Sequence, residues 1–368
     1  MKIRARLFIA GIAATAGIVL LGGAPPARAA SIGCGTTVTA DTTLTSDLKC
    51  SGDALTVVPG IRLNLGGHTI KGDGTGTAIR VLAEPAQSNT TITNGRVSGF
   101  ADGIVHTPDF AGTDYPTLTV NRVTLVAAPI RVEATELRIT RSDLRDSGIH
   151  AWSSNVTAVR SSLVRSTATG EMLRLVLRHS HVIGGSWGAD ENEQIVISDS
   201  ILDGTGATRS ATVCFGSCTI TDSVIRAYAQ PIWGGPVQVK GSSFIGNSGG
   251  AIAAEGESNV TSSIFVGNGG VALQVWGGPS TIGDNRFSRN QAGLVVSGAE
   301  GVTVIGNTFR NNLGDGARSE SAGTRFADNT AVGNDGWGIH APDAVDGGGN
   351  VARKNLAGNC FGLNCTAN

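Results

Sequence analysis

The stretch "VTVIGNTFRNNLGDGARS", Val302 to Ser319, begins like a β-strand and is then interrupted by Asn and Gly every few residues. The flanking segments repeat this pattern at steps of 21 or 22 residues. One column of asparagines in register comprises Asn247, Asn268, Asn290, Asn312, Asn334 and Asn355. A second polar column comprises Ser242, Ser263, Asn285, Asn307, Asn329 and Asn350, and an apolar one comprises Phe244, Phe265, Phe287, Phe309, Ala331 and Ala352. Three columns in step indicate an internal repeat.

Each repeat contains three short apolar fragments separated by Gly, Asn and Ser. This pattern predicts three short strands per turn, and therefore an all-β, right-handed parallel β-helix. Weaker copies extend back to Ile70, which gives about 14 coils. A β-propeller would need a period of about 40 to 45 residues, and the leucine-rich repeat motif is missing. We expect the asparagines of both columns to form structural ladders, because their amides can hydrogen-bond from coil to coil.

The first 29 residues, Met1 to Ala29, combine a basic start, the apolar run Leu7 to Leu21 and a small-x-small site. They predict a cleaved signal peptide; the alternative, an uncleaved anchor, would need a longer apolar run. The chain contains 53 Gly in 368 residues and only 15% charged residues, which favours strands and turns over long helices. A net charge of -1 argues against nucleic-acid binding. We expect a secreted monomer with no membrane span.

The predicted segments are a signal peptide (1–29), an N-terminal cap (30–55), a β-helix (56–350) and a C-terminal cap (351–368). The six cysteines are Cys34, Cys50, Cys214, Cys218, Cys360 and Cys365. A disulfide needs Cα atoms within about 7 Å, and a rod of this length keeps its two ends far apart. We therefore predict the local pairs Cys34–Cys50, Cys214–Cys218 and Cys360–Cys365, the outer two stapling the end caps. Metal binding is the alternative for the short spacings.

The segments "LNLGGHTIKGDGTGTAI" (Leu63 to Ile79) and "NTTITNGRVSGFADGI" (Asn89 to Ile104), with the Asn-x-Phe-x-x-Asn coils, resemble the pectin-lyase-like right-handed β-helix repeat of secreted bacterial proteins. The resemblance covers roughly residues 34 to 365. It implies a polysaccharide partner, either as substrate of a lyase or hydrolase of acidic glycans or as ligand of a non-catalytic glycan- or cell-surface-binding protein. The Asp sets of hydrolases of this fold and the Asp-Pro-His-Asp signature of alginate epimerases are absent. We identify no cofactor and no metal site; Ca²⁺ is the ion that a lyase of this family would use.

The middle residue of the third strand of each coil is predicted to point outward, since its neighbours are apolar. The candidate catalytic residues on or just after this strand are Arg131, His150, Glu171 and Asp190. We expect Arg131 to hold a substrate carboxylate, His150 to exchange a proton, and Glu171 or Asp190 to orient His150 or bind a cation. The candidate sugar-binding residues are Trp152, Trp187 and Trp233. The alternatives are salt bridging for the charged set and packing for the tryptophans.

Overall fold

The computed structural model describes residues 32–83, 88–108, 115–188, 191–206, 211–214 and 216–367. The predicted signal peptide lies outside these ranges. The described chain from Gly33 onward forms one compact unit built from short strands, all paired in parallel. Each coil contributes one strand to each of three faces, in the order face 1, face 2, face 3, and its backbone bonds to the coils before and after it. The prediction of an all-β parallel β-helix is confirmed.

Face 1 consists of the strands Thr42–Thr43, Arg62–Asn64, Asn89–Ser98, Thr117–Val126, Glu136–Thr140, Ser154–Val159, Glu171–Arg178, Glu191–Ser198, Ser217–Thr221, Val237–Lys240, Asn259–Thr261, Thr281–Gly283, Thr303–Ile305, Arg325–Ala327 and Val345–Asp346. Face 2 shares Asn89–Ser98 and Thr117–Val126 and otherwise consists of Leu48–Lys49, Thr69–Lys71, Asp143–Arg145, Ser162–Val164, His181–Ile183, Ile201–Asp203, Val224–Arg226, Ser243–Ile245, Ile264–Val266, Arg286–Ser288, Thr308–Arg310, Thr330–Val332 and Val351–Arg353.

Face 3 forms two sheets. The N-terminal sheet consists of Thr36–Val38, Leu55–Val57, Thr77–Val81, Asp102–His106, Ile130–Glu133, Ile149–Trp152 and Ala168–Thr169. The C-terminal sheet consists of Thr212–Cys214, Ile232–Gly234, Ile252–Glu255, Val271–Trp276, Ala292–Ser297, Ala317–Ser319, Trp337–His340 and Gly358–Phe361. The isolated bridge of Ala168 with Trp187 extends the first sheet by one coil.

The core is a set of inward-facing columns, of which the central residue of face 2 is the clearest. In register along the rod it comprises Leu48, Ile70, Val97, Leu125, Leu144, Leu163, Val182, Leu202, Ile225, Phe244, Phe265, Phe287, Phe309, Ala331 and Ala352. The prediction of about 14 coils is confirmed, and Leu48 lies one coil before the predicted start. The rings of Phe244, Phe265, Phe287 and Phe309 stack with centroids 5.0, 4.7 and 5.0 Å apart.

The asparagines predicted to stack lie in two ladders. In the first, Asn312 Nδ2 donates to Asn334 Oδ1 at 2.8 Å, and Asn312 Oδ1 accepts from the backbone N–H of Asn290 at 3.0 Å. In the second, Asn307 makes the same bonds with Asn329, at 3.1 Å, and with Asn285, at 2.9 Å. Each buried amide therefore satisfies polar groups of the coils on both sides.

Three disulfides have the predicted pairing, with Cα–Cα distances of 5.6 Å for Cys34–Cys50, 5.8 Å for Cys214–Cys218 and 6.1 Å for Cys360–Cys365. The outer two lie within the first and last coils. Strand Thr36–Val38 already pairs with Leu55–Val57, so most of the segment predicted as an N-terminal cap is a coil. Likewise, the predicted C-terminal cap contains Val351–Arg353 and Gly358–Phe361 as strands of the last coil. Within the described ranges no helix has the length and apolarity to cross a membrane.

Candidate functional site

The outward residues at the centre of face 3 form a column that we call the face 3 column. In the N-terminal sheet it comprises Thr37, Thr56, Arg80, Val105, Arg131, His150 and Thr169. In the C-terminal sheet it comprises Trp233, Ala253, Gln274, Val295, Arg318, His340 and Phe361. Parallel pairing places successive members about 5 Å apart. Val105 and Ala253 are buried and Val295 is aliphatic, and the other members of the column are basic, aromatic or polar side chains.

Arg131 is held by an aspartate that the sequence analysis did not identify. Its Nε and Nη2 donate to Asp102 Oδ1 at 3.2 and 3.1 Å, and its side chain is still 46% exposed. Asp102 begins the preceding strand of face 3, one coil earlier. Because a guanidinium carries five N–H donors and Asp102 takes two, Arg131 keeps donors for an external carboxylate. The ion pair orients Arg131 and leaves some of its N–H donors available.

His150 lies next to Arg131 and is fixed by the following coil. Its Nδ1 lies 3.0 Å from Thr169 Oγ1, and the Thr169 hydroxyl itself points to the backbone oxygen of Ile149 at 3.5 Å. Thr169 can therefore accept a bond from Nδ1–H, which leaves the lone pair on His150 Nε2. Burial lowers the pKa of His150, the positive charge of Arg131 lowers it further, and Asp102 opposes the shift. His150 is thus neutral at neutral pH, with a basic Nε2.

Trp152 follows His150 on the same face, since side chains two residues apart in a strand point the same way. Its indole is 39% exposed and lies nearly parallel to the imidazole of His150, with ring centroids 6.4 Å apart. Trp233 is 44% exposed and lies in the face 3 column itself. Two of the three predicted sugar-binding tryptophans, Trp152 and Trp233, thus present an aromatic surface to solvent.

The structure does not place the other predicted site residues in this column. The coils step by 19 residues here, from Arg131 to His150 to Thr169, so Thr169 occupies the place expected for Glu171. Glu171 instead begins the next strand of face 1 and pairs with Glu191. Asp190 lies outside the described residues.

Trp187 contradicts its predicted role. It is in register with Ala168, whose position faces inward, and its side chain is 0% exposed. It fills the interior of its coil and cannot stack on an external sugar. The alternative of a packing role, left open by the sequence, applies to this tryptophan.

The C-terminal part of the column has a similar character. Arg318 pairs with Glu320 at 2.7 Å, and the rings of His340 and Phe361 stack with centroids 5.1 Å apart. Trp337 lies against both rings, at 5.7 Å from each. Basic and aromatic groups therefore recur at this end of the rod as well.

The column carries no metal centre in the part of the chain that the structure describes. Within those ranges no group of three or more His, Cys, Asp or Glu side chains is arranged to hold an ion. The role of Ca²⁺ that a lyase of this family would imply stays a prediction. Asp102, whose charge raises the pKa of His150, is already engaged by Arg131.

Comparison with known proteins supports the fold. Residues 232–368 match the family model for a right-handed β-helix region. No curated protein sequence matches the chain. Tailspike protein 3 of bacteriophage CBA120 superimposes with a TM-score of 0.56 and 13% identity over 83% of this chain; the chain spans 55% of that protein's length.

Two epimerases align over more of the chain but less closely. The A-module of mannuronan C-5 epimerase AlgE6 from Azotobacter vinelandii has 16% identity and a TM-score of 0.33, with 91% of each chain covered. The periplasmic alginate epimerase AlgG has 9% identity and a TM-score of 0.35, covering 89% of this chain and 78% of its own. At such low identities the likeness concerns the fold alone.

Proposed function

Since this chain folds as a right-handed parallel β-helix, we propose that it is a secreted protein that binds an acidic polysaccharide along the face 3 column. One observation carries the proposal: Arg131, His150 and Trp152 lie on adjacent coils and share one exposed face. Secretion is supported by the three disulfides, which persist in oxidising compartments, and by the signal-like N-terminal sequence.

The side chains of the column suit an acidic sugar. Arg131 offers a planar set of donors that matches a carboxylate, and Asp102 keeps that set in one orientation. The exposed face of Trp152 offers an apolar surface for the ring of a neighbouring sugar. Because successive coils lie about 5 Å apart, a linear polymer lying parallel to the rod meets one such group per coil. Trp233 and Arg318 extend the same surface towards the C-terminus.

Binding is tested with polygalacturonate, alginate and, as an uncharged control, dextran. We expect the double variant Arg131→Ala with His150→Ala to lose binding to the acidic polymers while its melting temperature stays close to wild type, because both side chains face solvent. Arg226→Ala is the matched control: Arg226 is 49% exposed and pairs with Asp203 of the preceding coil at 2.7 Å, as Arg131 pairs with Asp102, but it lies on face 2. Unchanged binding by the double variant would exclude the face 3 column.

A lyase activity is the second candidate, and the state of His150 favours it. In β-elimination a base removes the proton next to the uronate carboxylate, a C=C bond forms, and the glycosidic oxygen leaves the neighbouring carbon with its bonding electron pair and takes a proton from water, which gives an unsaturated sugar. The lone pair on His150 Nε2 can accept that proton, and Arg131 can stabilise the negative charge that develops on the carboxylate.

The lyase candidate predicts a distinct result for His150→Gln. This variant can still donate to Thr169 but cannot act as a base, so it should keep polymer binding and lose the formation of product that absorbs in the ultraviolet. Wild-type activity should fall at acid pH, since protonation of His150 removes the lone pair. If the wild-type protein binds the polymer but forms no unsaturated product, the lyase candidate is excluded and only the non-catalytic binding function is left.

A further inference from the structure

In the twelve coils from strand Asn89–Ser98 to strand Arg325–Ala327, the bend between faces 1 and 2 contains one residue with a positive φ angle. In most coils this residue is of a type that tolerates such backbone: Asn94, Asp199, Asp222, Gly241, Ser262, Asp284, Gly306 and Asp328. In three consecutive coils it is instead Arg122, Arg141 and Arg160, with φ of 55°, 51° and 51°. The next coil has His179, with φ of 47°. A positive φ is a strained backbone conformation for arginine, and the side chain offers no local hydrogen bond that offsets the strain. A run of three such arginines therefore indicates a role other than stabilising the fold.

These three arginines also lack acidic partners. All three are exposed, and none forms an ion pair within the described ranges. Other arginines of the same region are paired: Arg138 with Glu136, Arg145 with Asp143 and Arg165 with Asp146. Like charges repeated at the spacing of the coils, about 5 Å, repel each other unless an anion lies against them.

Arg141, Arg160 and His179 line a surface groove of about 480 Å³ that follows the bend across three coils. Two polar atoms of its lining residues are buried and have no hydrogen-bond partner among the described residues: Asp143 Oδ1 and His181 Nε2. Buried polar atoms are normally satisfied, so a water molecule or a ligand hydroxyl entering the groove would supply the missing partner of each. A carboxylate oxygen such as Asp143 Oδ1 accepts from a donor, and a hydroxyl group can serve both atoms.

We propose that this groove is a second saccharide-binding site, specific for an acidic sugar and separate from the face 3 column. The sugar carboxylate lies against Arg141 and Arg160, and its hydroxyls bond to Asp143 Oδ1 and His181 Nε2. The proposal goes beyond the function assigned to face 3 and does not depend on it. Two sites on different sides of one rod would let a single molecule hold two acidic chains, or two parts of one chain.

Nucleic acid fits this groove less well than an acidic sugar. Asp143 and Asp199 line it together with the arginines, and their charges oppose a continuous row of phosphates. Its described lining contains no Phe, Tyr or Trp on which bases could stack. Separate carboxylates with hydroxyls between them match the mixed lining.

The test uses the full-length secreted protein and a trigalacturonate probe in calorimetric titration. Wild type should show two binding sites, and Arg141→Gly with Arg160→Gly should remove one of them, with an affinity loss of about ten-fold or more. Because glycine adopts positive φ freely, this variant should melt no lower than wild type, which separates loss of binding from unfolding.

Arg289→Gly is the matched control, since Arg289 is exposed, has φ of 56° and lies at a bend outside the groove. A loss in this control equal to that of the groove variant, or unchanged binding by the groove variant, would overturn the proposal. If the groove variant loses all binding while Arg131→Ala with His150→Ala loses none, the groove stands and the face 3 function fails.

Asp143→Ala distinguishes a sugar from a simple polyanion. It removes a negative charge and frees Arg145, so binding of an anion held by charge alone would tighten. Binding of the trigalacturonate should weaken instead, because the acceptor for its hydroxyl is gone. Tighter binding by Asp143→Ala, or equal competition by single-stranded DNA, would overturn the assignment to an acidic sugar.

Discussion

The two halves of the rod share one backbone design but differ in what fills it. In the C-terminal half, the bend after face 1 is held by asparagine amides, as in the bonds from Asn307 to Asn329. In the N-terminal half, serines hold the same position: the N–H of Ser142 donates to Ser161 Oγ at 3.2 Å, and that of Ser161 to Ser180 Oγ at 3.0 Å. The ladder is continuous, because Ser263 N–H donates to the first asparagine, Asn285.

The two halves differ in their stabilising interactions and in the candidate binding residues that they carry. An asparagine amide supplies an acceptor oxygen and two N–H donors, whereas a serine hydroxyl supplies an acceptor oxygen and only one donor. The half with the asparagine ladders also contains the stacked phenylalanines. The serine half carries the Arg131–His150 pair and the arginines at strained bends. Natural sequences break local structural rules mainly at functional sites, and the run of arginines at strained bends lies in the serine half.

The largest expected effect comes from the phenylalanine stack. Phe287→Ala should lower the free energy of unfolding by about 4 kcal/mol, because it opens a cavity and removes two ring contacts. Leu163→Ala, in the same column of the serine half, should lower it by about 3 kcal/mol. Urea unfolding of both variants measures the difference. Equal losses would mean that the stacked rings add nothing beyond buried area.

Acid should weaken the serine half through His106. This side chain is 1% exposed, its Nδ1 lies 3.2 Å from Thr135 Oγ1, and burial lowers its pKa to about 4. The unfolded chain binds the proton below about pH 6.5, but the folded chain binds it only below about pH 4. The contribution of neutral His106 to the free energy of unfolding is therefore complete above pH 6.5. It is lost as pH falls towards 4, and the total loss is about 3 kcal/mol.

His106→Gln keeps a donor for Thr135 and removes the titration. The difference in unfolding free energy between this variant and wild type should change by about 3 kcal/mol between pH 6.5 and pH 4. Urea titrations at several pH values would measure it. A gap independent of pH would show that His106 is protonated equally in both states.

The ladders themselves provide the third test. Asn312→Ala should lower the free energy of unfolding by about 2 kcal/mol, since it removes the buried oxygen that accepts from both the backbone N–H and Nδ2 of Asn290. Ser161→Ala removes one acceptor for Ser142 and should lower it by about 1 kcal/mol. A larger loss for the serine would reverse the comparison between the halves.

The sequence predicted the asparagine half better than the serine half for a physical reason. Asn and Phe are distinctive at fixed steps, whereas Ser and Leu recur throughout such a chain, so the register of the serine half is harder to read from the sequence. Glu171 was chosen over Thr169 for the same reason, because strand register depends on backbone pairing and not on residue type.

Contacts between coils that do not repeat along the rod were out of reach of the sequence. The partner of Arg131 is Asp102, 29 residues earlier, and nothing in the spacing of the two marks them as neighbours. Strained arginines such as Arg141 carry no signal either, because a positive φ is visible only in the folded backbone. The fold class, the disulfides and the position of the outward column followed from periodicity, and a single sequence is enough to reveal a period.

The smallest expected effect tests whether the asparagine half is stable because of its interior alone. Arg310 lies two residues before Asn312, at the end of strand Thr308–Arg310, and is exposed. Arg310→Ala should change the free energy of unfolding by less than about 0.5 kcal/mol, because the substitution leaves the core and both ladders untouched. Measured in the same urea series as Asn312→Ala, it controls for local perturbation of the bend. A loss comparable with that of Asn312→Ala would attribute the stability of this half to its surface and not to its ladders.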